Sequence, residues 1–572
     1  MSQQAESAVE APRGRGLREA AEALLRNPAL LLLAAAVVGS GALLIALAGD
    51  VVFLRDEWPV VLERRGFSAG VFLDPHVGHL AAGVIAIYKA LLATFGMSSP
   101  LPFHLASTLI YLIAAVLLFV YARRRVGDWL ALMGAVLILF FGAGAVDMLS
   151  PFQMFFSGSI AAGIGALLAL DRDDRPGDLA ACALLVASIS FSEAGIAFTV
   201  GVLVRMALGR RPLRERLYVG VVPLALYAIW WLGWGHTAES HLTLHNVASS
   251  PLYILDAASA AVASLAGLAS ASDALPEPSG QQWLPAALLV AVVLAGLRIR
   301  RLGRVPSGVW AVLAIGLTFW ALAAFNTFFG RAPGNGRYIY PSAVFVILIA
   351  AELCRGIRIG WRGITAAAAV TVVGLAANLV FLRDGYWYYF RPANEQQRGA
   401  LSALDIAGPQ NPGFVLNAKT SPVTFFDIDT SQYLSAVQAF GSPAYTPAEL
   451  ATAPEASRLE ADRVVGAMLG MALKPGGPAG GPCKTVQASA SGETGLELGT
   501  GSIELRAHPG SRAKVRLGRF ADGLPFVAGT LAPGSRASLA IPRDGATVPW
   551  RLGLVGHGPV AVCLPGPRGG AG

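Results

Sequence analysis

Two adjacent carboxylates, Asp56 and Glu57, lie in the run Val51-Val52-Phe53-Leu54-Arg55-Asp56-Glu57-Trp58, just beyond the first long apolar stretch of a 572-residue chain. A bundle of apolar helices does not need acids at that point, and a carboxylate at a membrane surface can act as general base on a hydroxyl. Neighbouring side chains do not readily face one cavity together. Asp56 is therefore expected as the base, and Glu57 as the group that positions it or holds a cation.

Arginines offer the complementary chemistry. Arg331 and Arg337 stand in Arg331-Ala332-Pro333-Gly334-Asn335-Gly336-Arg337-Tyr338, where guanidinium forks can take phosphate oxygens and glycines let the backbone approach a ligand. Anchoring at the interface beside Tyr338 and Tyr340 is the other reading of the same residues. Trp58, Asp74, His76, His79, Gln153 and Glu193 are the remaining candidates for substrate contact. The spacing of Asp74, His76 and His79 is also compatible with a metal ion, a weak signal beside the absence of any Cys/His ligand motif, P-loop, nucleophile elbow or HExxH helix. The sequence names no cofactor, and a divalent cation is compatible with the acids.

These residues must be held by membrane helices. The chain is 54% apolar and 14% charged, with a mean hydropathy of +0.56, which excludes an ordinary soluble protein. Eleven spans are expected, at about 29–49, 102–122, 129–146, 153–170, 178–191, 194–208, 217–234, 283–298, 308–326, 338–354 and 363–382.

The net charge of +8 does not point to nucleic acid, because the arginines cluster in short segments between spans. With eleven crossings, segments 1–28, 123–127, 171–177, 205–216, 298–304 and 355–362 fall on one side and hold 21 Lys/Arg. The opposite connections of the membrane half hold six: Arg55, Arg64, Arg65, Lys89, Arg331 and Arg337. The positive-inside rule then puts the N-terminus in the cytoplasm and the C-terminus outside, in a plasma-membrane protein. An extra crossing at 77–95 would reverse that balance, so this stretch is expected to lie along the outer surface with His79 and Lys89 toward the headgroups.

The expected organisation is a cytoplasmic tail at 1–28 and a transmembrane domain at 29–382, with a first outer loop at 50–101. An extracytoplasmic segment of mixed helix and strand follows at 383–473. A Gly/Pro linker at 474–482 leads to a β-sandwich-like domain at 483–572, read from short alternating runs such as Ala513-Lys514-Val515-Arg516-Leu517. Cys483 and Cys563 lie near the two ends of that domain, where an oxidising compartment would let them pair. Trp550 is its one stacking candidate, more simply read as a core aromatic.

The acidic pair after the first span, Asp74-Pro75-His76 before a surface helix, and Tyr121-Ala122-Arg123-Arg124-Arg125 at a span's end together resemble the polytopic GT-C glycosyltransferases. Arg337-Tyr338-Ile339-Tyr340-Pro341 looks like the Arg-Tyr-x-x-Pro element found before a late span in many of them. The nearest comparison is the protein mannosyltransferase and aminoarabinose transferase branch, and the Arg-rich, Lys-poor usage looks like actinobacterial proteins of this type. The resemblance covers about residues 29–382 and rests on layout. The surface helix lacks the His-Pro-Pro form, and Glu193 stands where some relatives have a basic residue.

The resemblance implies inverting transfer of a sugar from a polyprenyl-phosphate donor to a cell-envelope glycan or glycolipid on the outer side. It casts Asp56 as base or acceptor-orienting acid, with Arg331 and Arg337 on the lipid phosphate. Membrane lipids are the other partner. The rival classes are a lipid or solute transporter, which would show repeated halves around a midplane site, and a noncatalytic envelope-assembly protein.

Overall fold

A computed structural model describes residues 27–271, 279–328, 331–422, 426–476 and 481–564. Most of the expected N-terminal tail and part of the Gly/Pro linker lie outside the described residues. The rest divides into two compact units that are not contiguous in sequence: 27–48, Leu73–Val84 and His104–Tyr386 form one, and Gly49–Phe72, Ile85–Phe103 and 387–564 the other. Most of the first outer loop thus belongs to the same unit as the C-terminal region.

The first unit is helical. Nine helices among the described residues are long and apolar enough to cross a bilayer. Eight of them coincide with expected spans. The expected spans 178–191, 194–208 and 217–234 form the helices Arg175–Phe191, Ala194–Ala207 and Tyr218–Gly233, of 17, 14 and 16 residues, shorter than a perpendicular crossing needs.

The ninth long helix, Leu244–Leu265, corrects the expectation that 235–282 is one outer stretch. At its start, Asn246 donates from Nδ2 to the carbonyls of Phe325 (3.3 Å) and Thr327 (3.0 Å) at the end of the helix Ser307–Phe325. At its end, the Ser264 carbonyl accepts from Asn378 Nδ2 at 2.9 Å. Its buried face is largely small, with Ala257, Ala260, Ala261 and Ser264 allowing close helix packing. Ser, Asn, Asp and Pro residues along it dilute the apolar signal that marks the other spans.

The described residues of the six segments grouped by the charge count meet at one end of this unit. Asn27 Nδ2 donates to Asp128 at 2.6 Å. Arg125 pairs with Glu352 and, at 3.3 Å, with Asp171, which also takes Arg205 at 2.5 Å. Arg216 pairs with Asp178 at 2.5 Å. Arg298 donates to the carbonyls of Leu353 and Arg355, each at 3.2 Å. The arginines are spent on holding the helix ends together: Arg125 and Glu352 are buried, and Tyr121 donates to the same Glu352 oxygen at 2.7 Å. The helix Gln281–Leu302 reaches this end through Arg298, so its start, and the Leu244–Leu265 helix before it, belong to the opposite end.

The helix of the first outer loop starts at Ala82, not at 77, and from Ile85 on it belongs to the second unit. Its Lys89 donates to the Arg64 carbonyl at 2.8 Å and lies over the rings of Phe67 and Phe72. The C-terminal region is β-rich from Lys474 on. Its organiser is the strand Trp550–Cys563. The first half pairs with Arg512–Gly518 and Glu493–Leu498, and the second with Cys483–Ala488 and Gly501–Ala507. Gly556 and Gly558, both at positive φ, sit where the strand passes from one set of partners to the other. A disulfide joins Cys483 to Cys563, which are register partners in the ladder. Trp550 is buried, so it is a core residue and not an exposed stacking platform.

Candidate functional site

The end of the first unit opposite the arginine cluster carries a cavity of about 160 Å³. Its placement follows from the helices that line it. Ala194–Ala207 carries Arg205 at the arginine end, so Glu193, just before its first residue, stands at the other. The helix Ser307–Phe325 likewise ends there, shortly before Arg331.

His79 is presented by a tight turn. His76 and His79 exchange backbone hydrogen bonds at 2.9 and 3.0 Å, with Val77 (φ 50°) and Gly78 (φ 86°) between them. Two positive φ values in succession define a type I′ turn, which Gly78 suits. Val77 does not suit it: a β-branched residue in that region is strained by about 1–3 kcal/mol. The strain is tolerated because the turn is held on both sides. The His76 ring packs on Phe152 at 4.7 Å and the His79 ring on Phe155 at 5.7 Å. Leu80 joins a buried cluster with Ile189 and Trp230, whose Nε1 donates to the Leu73 carbonyl at 2.7 Å.

Glu193 sits in the two-residue connection between the helices Arg175–Phe191 and Ala194–Ala207. Both of its oxygens serve the turn. Oε1 accepts from the Leu80 N–H at 3.2 Å, and Oε2 lies 3.0 Å from Nδ1 of His79. Nε2 of His79 lies 3.3 Å from a terminal nitrogen of Arg331. A guanidinium only donates, so Nε2 is the accepting nitrogen and Nδ1 carries the proton given to Glu193.

Arg331 is positioned through its backbone. Its carbonyl accepts from Thr327 Oγ1 at 3.0 Å and from the Tyr253 hydroxyl at 3.3 Å. The guanidinium stacks on Phe328 at 4.6 Å and gives one terminal nitrogen to His79 and, at 3.5 Å, to the Val77 carbonyl. It makes no ion pair with a carboxylate among the described residues. Phe155, Phe156, Phe319, Tyr227 and Trp231 form the apolar walls, and Tyr338, Asn326 and Glu239 add polar groups. Such a site can take an anion at Arg331 while the rings cover an apolar or sugar-like body.

The other expected site residues fall elsewhere. Arg337 is half-buried, with its guanidinium 5.7 Å from the Tyr338 ring centre, and is not among the cavity's lining residues. Gln153 is buried in a short turn, and Asp74 is exposed. Among the described residues no three His, Cys, Asp or Glu side chains gather to hold a metal ion, and His79 is engaged with Glu193 instead.

The acidic pair lies in the second unit and divides. Glu57 is buried, with Oε1 taken by the Tyr88 hydroxyl at 2.6 Å and Oε2 by the Leu54 N–H at 2.8 Å. Burial pushes its carboxyl up to about 7, against the lowering effect of those two hydrogen bonds. Both oxygens are committed, so Glu57 holds the loop and presents no free edge to a substrate. Trp58 is also buried, edge-on to Phe53 and Tyr433 at 5.9 Å, and is a packing residue. Asp56 stays half-buried at the N-cap of the short helix Glu57–Leu62.

The aromatic walls were not singled out in the sequence, although Phe152, Phe155 and Phe156 cluster around Gln153. Nothing local distinguishes Phe319, Tyr227 or Trp231 from other span aromatics. No protein-family model, curated protein or solved structure matches the chain.

Proposed function

We propose that this protein is a membrane glycosyltransferase that moves a sugar from a polyprenyl-phosphate donor to a hydroxyl of an extracytoplasmic envelope acceptor, with inversion. The observation that carries the reading is Arg331, a guanidinium with no carboxylate partner among the described residues, on the wall of an aromatic cavity. A lipid phosphate arriving from the membrane would meet Arg331, with the Tyr338 hydroxyl as a further donor. The rings would cover the first isoprene unit or the sugar. As the bond from the anomeric carbon to the phosphate oxygen breaks, the phosphate gains a charge that a fixed guanidinium stabilises. On the acceptor side, Asp56 is the proposed base, since both oxygens of Glu57 are bonded within the loop.

The same reading takes the chain through the membrane eleven times, arginine-rich end in the cytoplasm, with the cavity and a C-terminal β-sandwich outside. In this reading the Leu244–Leu265 helix, bonded at its start to Phe325 and Thr327 and at its end to Asn378, lies along the outer end and leaves that count unchanged. Similarity to GT-C transferases, argued above from layout, fits this topology.

The reading is tested in cells carrying Arg331→Ala or Asp56→Asn at normal protein level. A polyprenyl-phosphate sugar should accumulate and an envelope glycan should lose the corresponding residue. Unchanged lipid-linked sugars and glycans in both strains would overturn it.

A further inference from the structure

We infer that the donor phosphate is bound with uptake of a proton by His79, which becomes a second cationic phosphate ligand once Arg331 turns to the phosphate. This rests on the reading of the cavity as a phosphate site. Without ligand, Nε2 of His79 faces the donor hydrogens of Arg331, which an already protonated nitrogen could not do. Nδ1 is meanwhile fixed on Glu193. The imidazole is therefore oriented, with Nε2 covered by the guanidinium.

A phosphate inverts that environment. Its oxygens take the guanidinium hydrogens in charge-assisted bonds, as the stronger acceptor. Nε2 then faces an anion, and a proton placed there is stabilised by phosphate on one side and by Glu193 on the other. No other cation lines the cavity among the described residues. The remaining titratable groups are Tyr227 and Tyr338 on the helix walls, Glu239 at the rim and His76 on the same turn. None of these is bonded to the His79 ring.

The consequence for transfer is a closed proton cycle. The bond between the anomeric carbon and the phosphate oxygen breaks, and its electron pair stays on that oxygen. The Nε2 proton can follow it, the acceptor hydroxyl loses its own proton to its base, and His79 returns neutral to Arg331. Glu193 is in this scheme a positioning residue that sets the tautomer and stabilises the charged ring.

Farnesyl phosphate serves as the probe, with farnesol as background, titrated calorimetrically into the full chain in lipid nanodiscs at pH 7. Buffers of different ionisation enthalpy give the number of protons taken up. The same titrations with farnesyl methyl phosphate, a diester with no proton to exchange near pH 7, remove the phosphate's own contribution, so the difference between wild type and His79→Gln reports the ring. Wild type should take up roughly half a proton more than His79→Gln, with Glu193→Gln in between. Arg331→Ala should weaken binding about tenfold or more.

Equal proton numbers in wild type and His79→Gln, with Arg331→Ala still weakened, would overturn the proton-coupled role and leave the phosphate site standing. Wild-type affinity in a folded Arg331→Ala protein would remove the phosphate reading itself.

Discussion

Nδ1 of His79 lies 3.0 Å from Oε2 of Glu193. One residue comes from a turn in the first outer loop and the other from a two-residue link between later helices. The contact fixes which imidazole nitrogen faces Arg331, and with it what the cavity can do to an anion. A Gln at 193 still accepts from Nδ1 but removes the charge, which separates the orienting role from the electrostatic one.

The strained turn gives a first prediction. Val77→Asn tolerates the left-handed backbone and should raise stability by about 1 kcal/mol, read as a rise of a few degrees in thermal midpoint. Farnesyl phosphate affinity should stay within about twofold, since the substitution preserves the turn that places His79. A lower midpoint would mean that Val77 contributes packing that outweighs its strain.

Glu57 predicts a specific pH dependence. Its folded pKa of about 7 lies above the ordinary 4.5 of a glutamate, so between those values the folded chain keeps a proton that the unfolded chain has released. Its contribution is complete below about pH 4.5, declines as pH rises toward 7, and is flat beyond. The decline is on the order of 3 kcal/mol. Glu57→Gln should abolish this part of the pH dependence and stabilise the protein at pH 8, seen as convergence of midpoints measured at pH 5.5 and 8. An unchanged slope in the variant would assign the dependence to other groups.

The buried pair at the arginine end behaves differently from a surface salt bridge. Removing one partner strands the other charge, so Glu352→Ala should cost about 3–5 kcal/mol and sharply lower the folded yield by size-exclusion chromatography. The double variant Arg125→Met with Glu352→Leu should recover most of that loss. A double variant no better than Glu352→Ala would mean that Arg125 is needed for its bonds to Asp171 and the Tyr121 carbonyl.

The disulfide closes a long loop, with 80 residues separating its cysteines. Cys483→Ser with Cys563→Ser should destabilise the C-terminal β region by about 2–4 kcal/mol. Alkylation of the unfolded wild-type protein should label two thiols before reduction, Cys182 and Cys354, and four after. Four labels without reductant would place the bond outside the mature protein.

Several features were legible in the sequence because they depend on composition along the chain. Long apolar runs announce most of the helices, and arginine clustering sorts the connections into two sets. That sorting survives in three dimensions as hydrogen bonds such as Asn27–Asp128 and Arg298–Leu353 and ion pairs such as Arg125–Glu352, at one end of the unit. Cys483 and Cys563 could be paired from placement and compartment alone. The helix Leu244–Leu265 was missed because its amphipathic, Ser- and Ala-rich pattern carries less apolar signal than a lipid-facing span.

Tertiary structure alone decided the chemistry of the polar residues. Asp56 and Glu57 are interchangeable as letters, yet one is half-buried at a helix start and the other is sealed by Tyr88 and the Leu54 N–H. Arg331 and Arg337 looked like one pair, and only Arg331 lines the cavity. The physical reason is the same in both cases. Hydropathy and charge act additively along a sequence and fix which segments enter the membrane and which ends meet. Whether a given carboxylate or guanidinium keeps a free edge depends on the donors and acceptors that distant segments bring within about 3 Å of it.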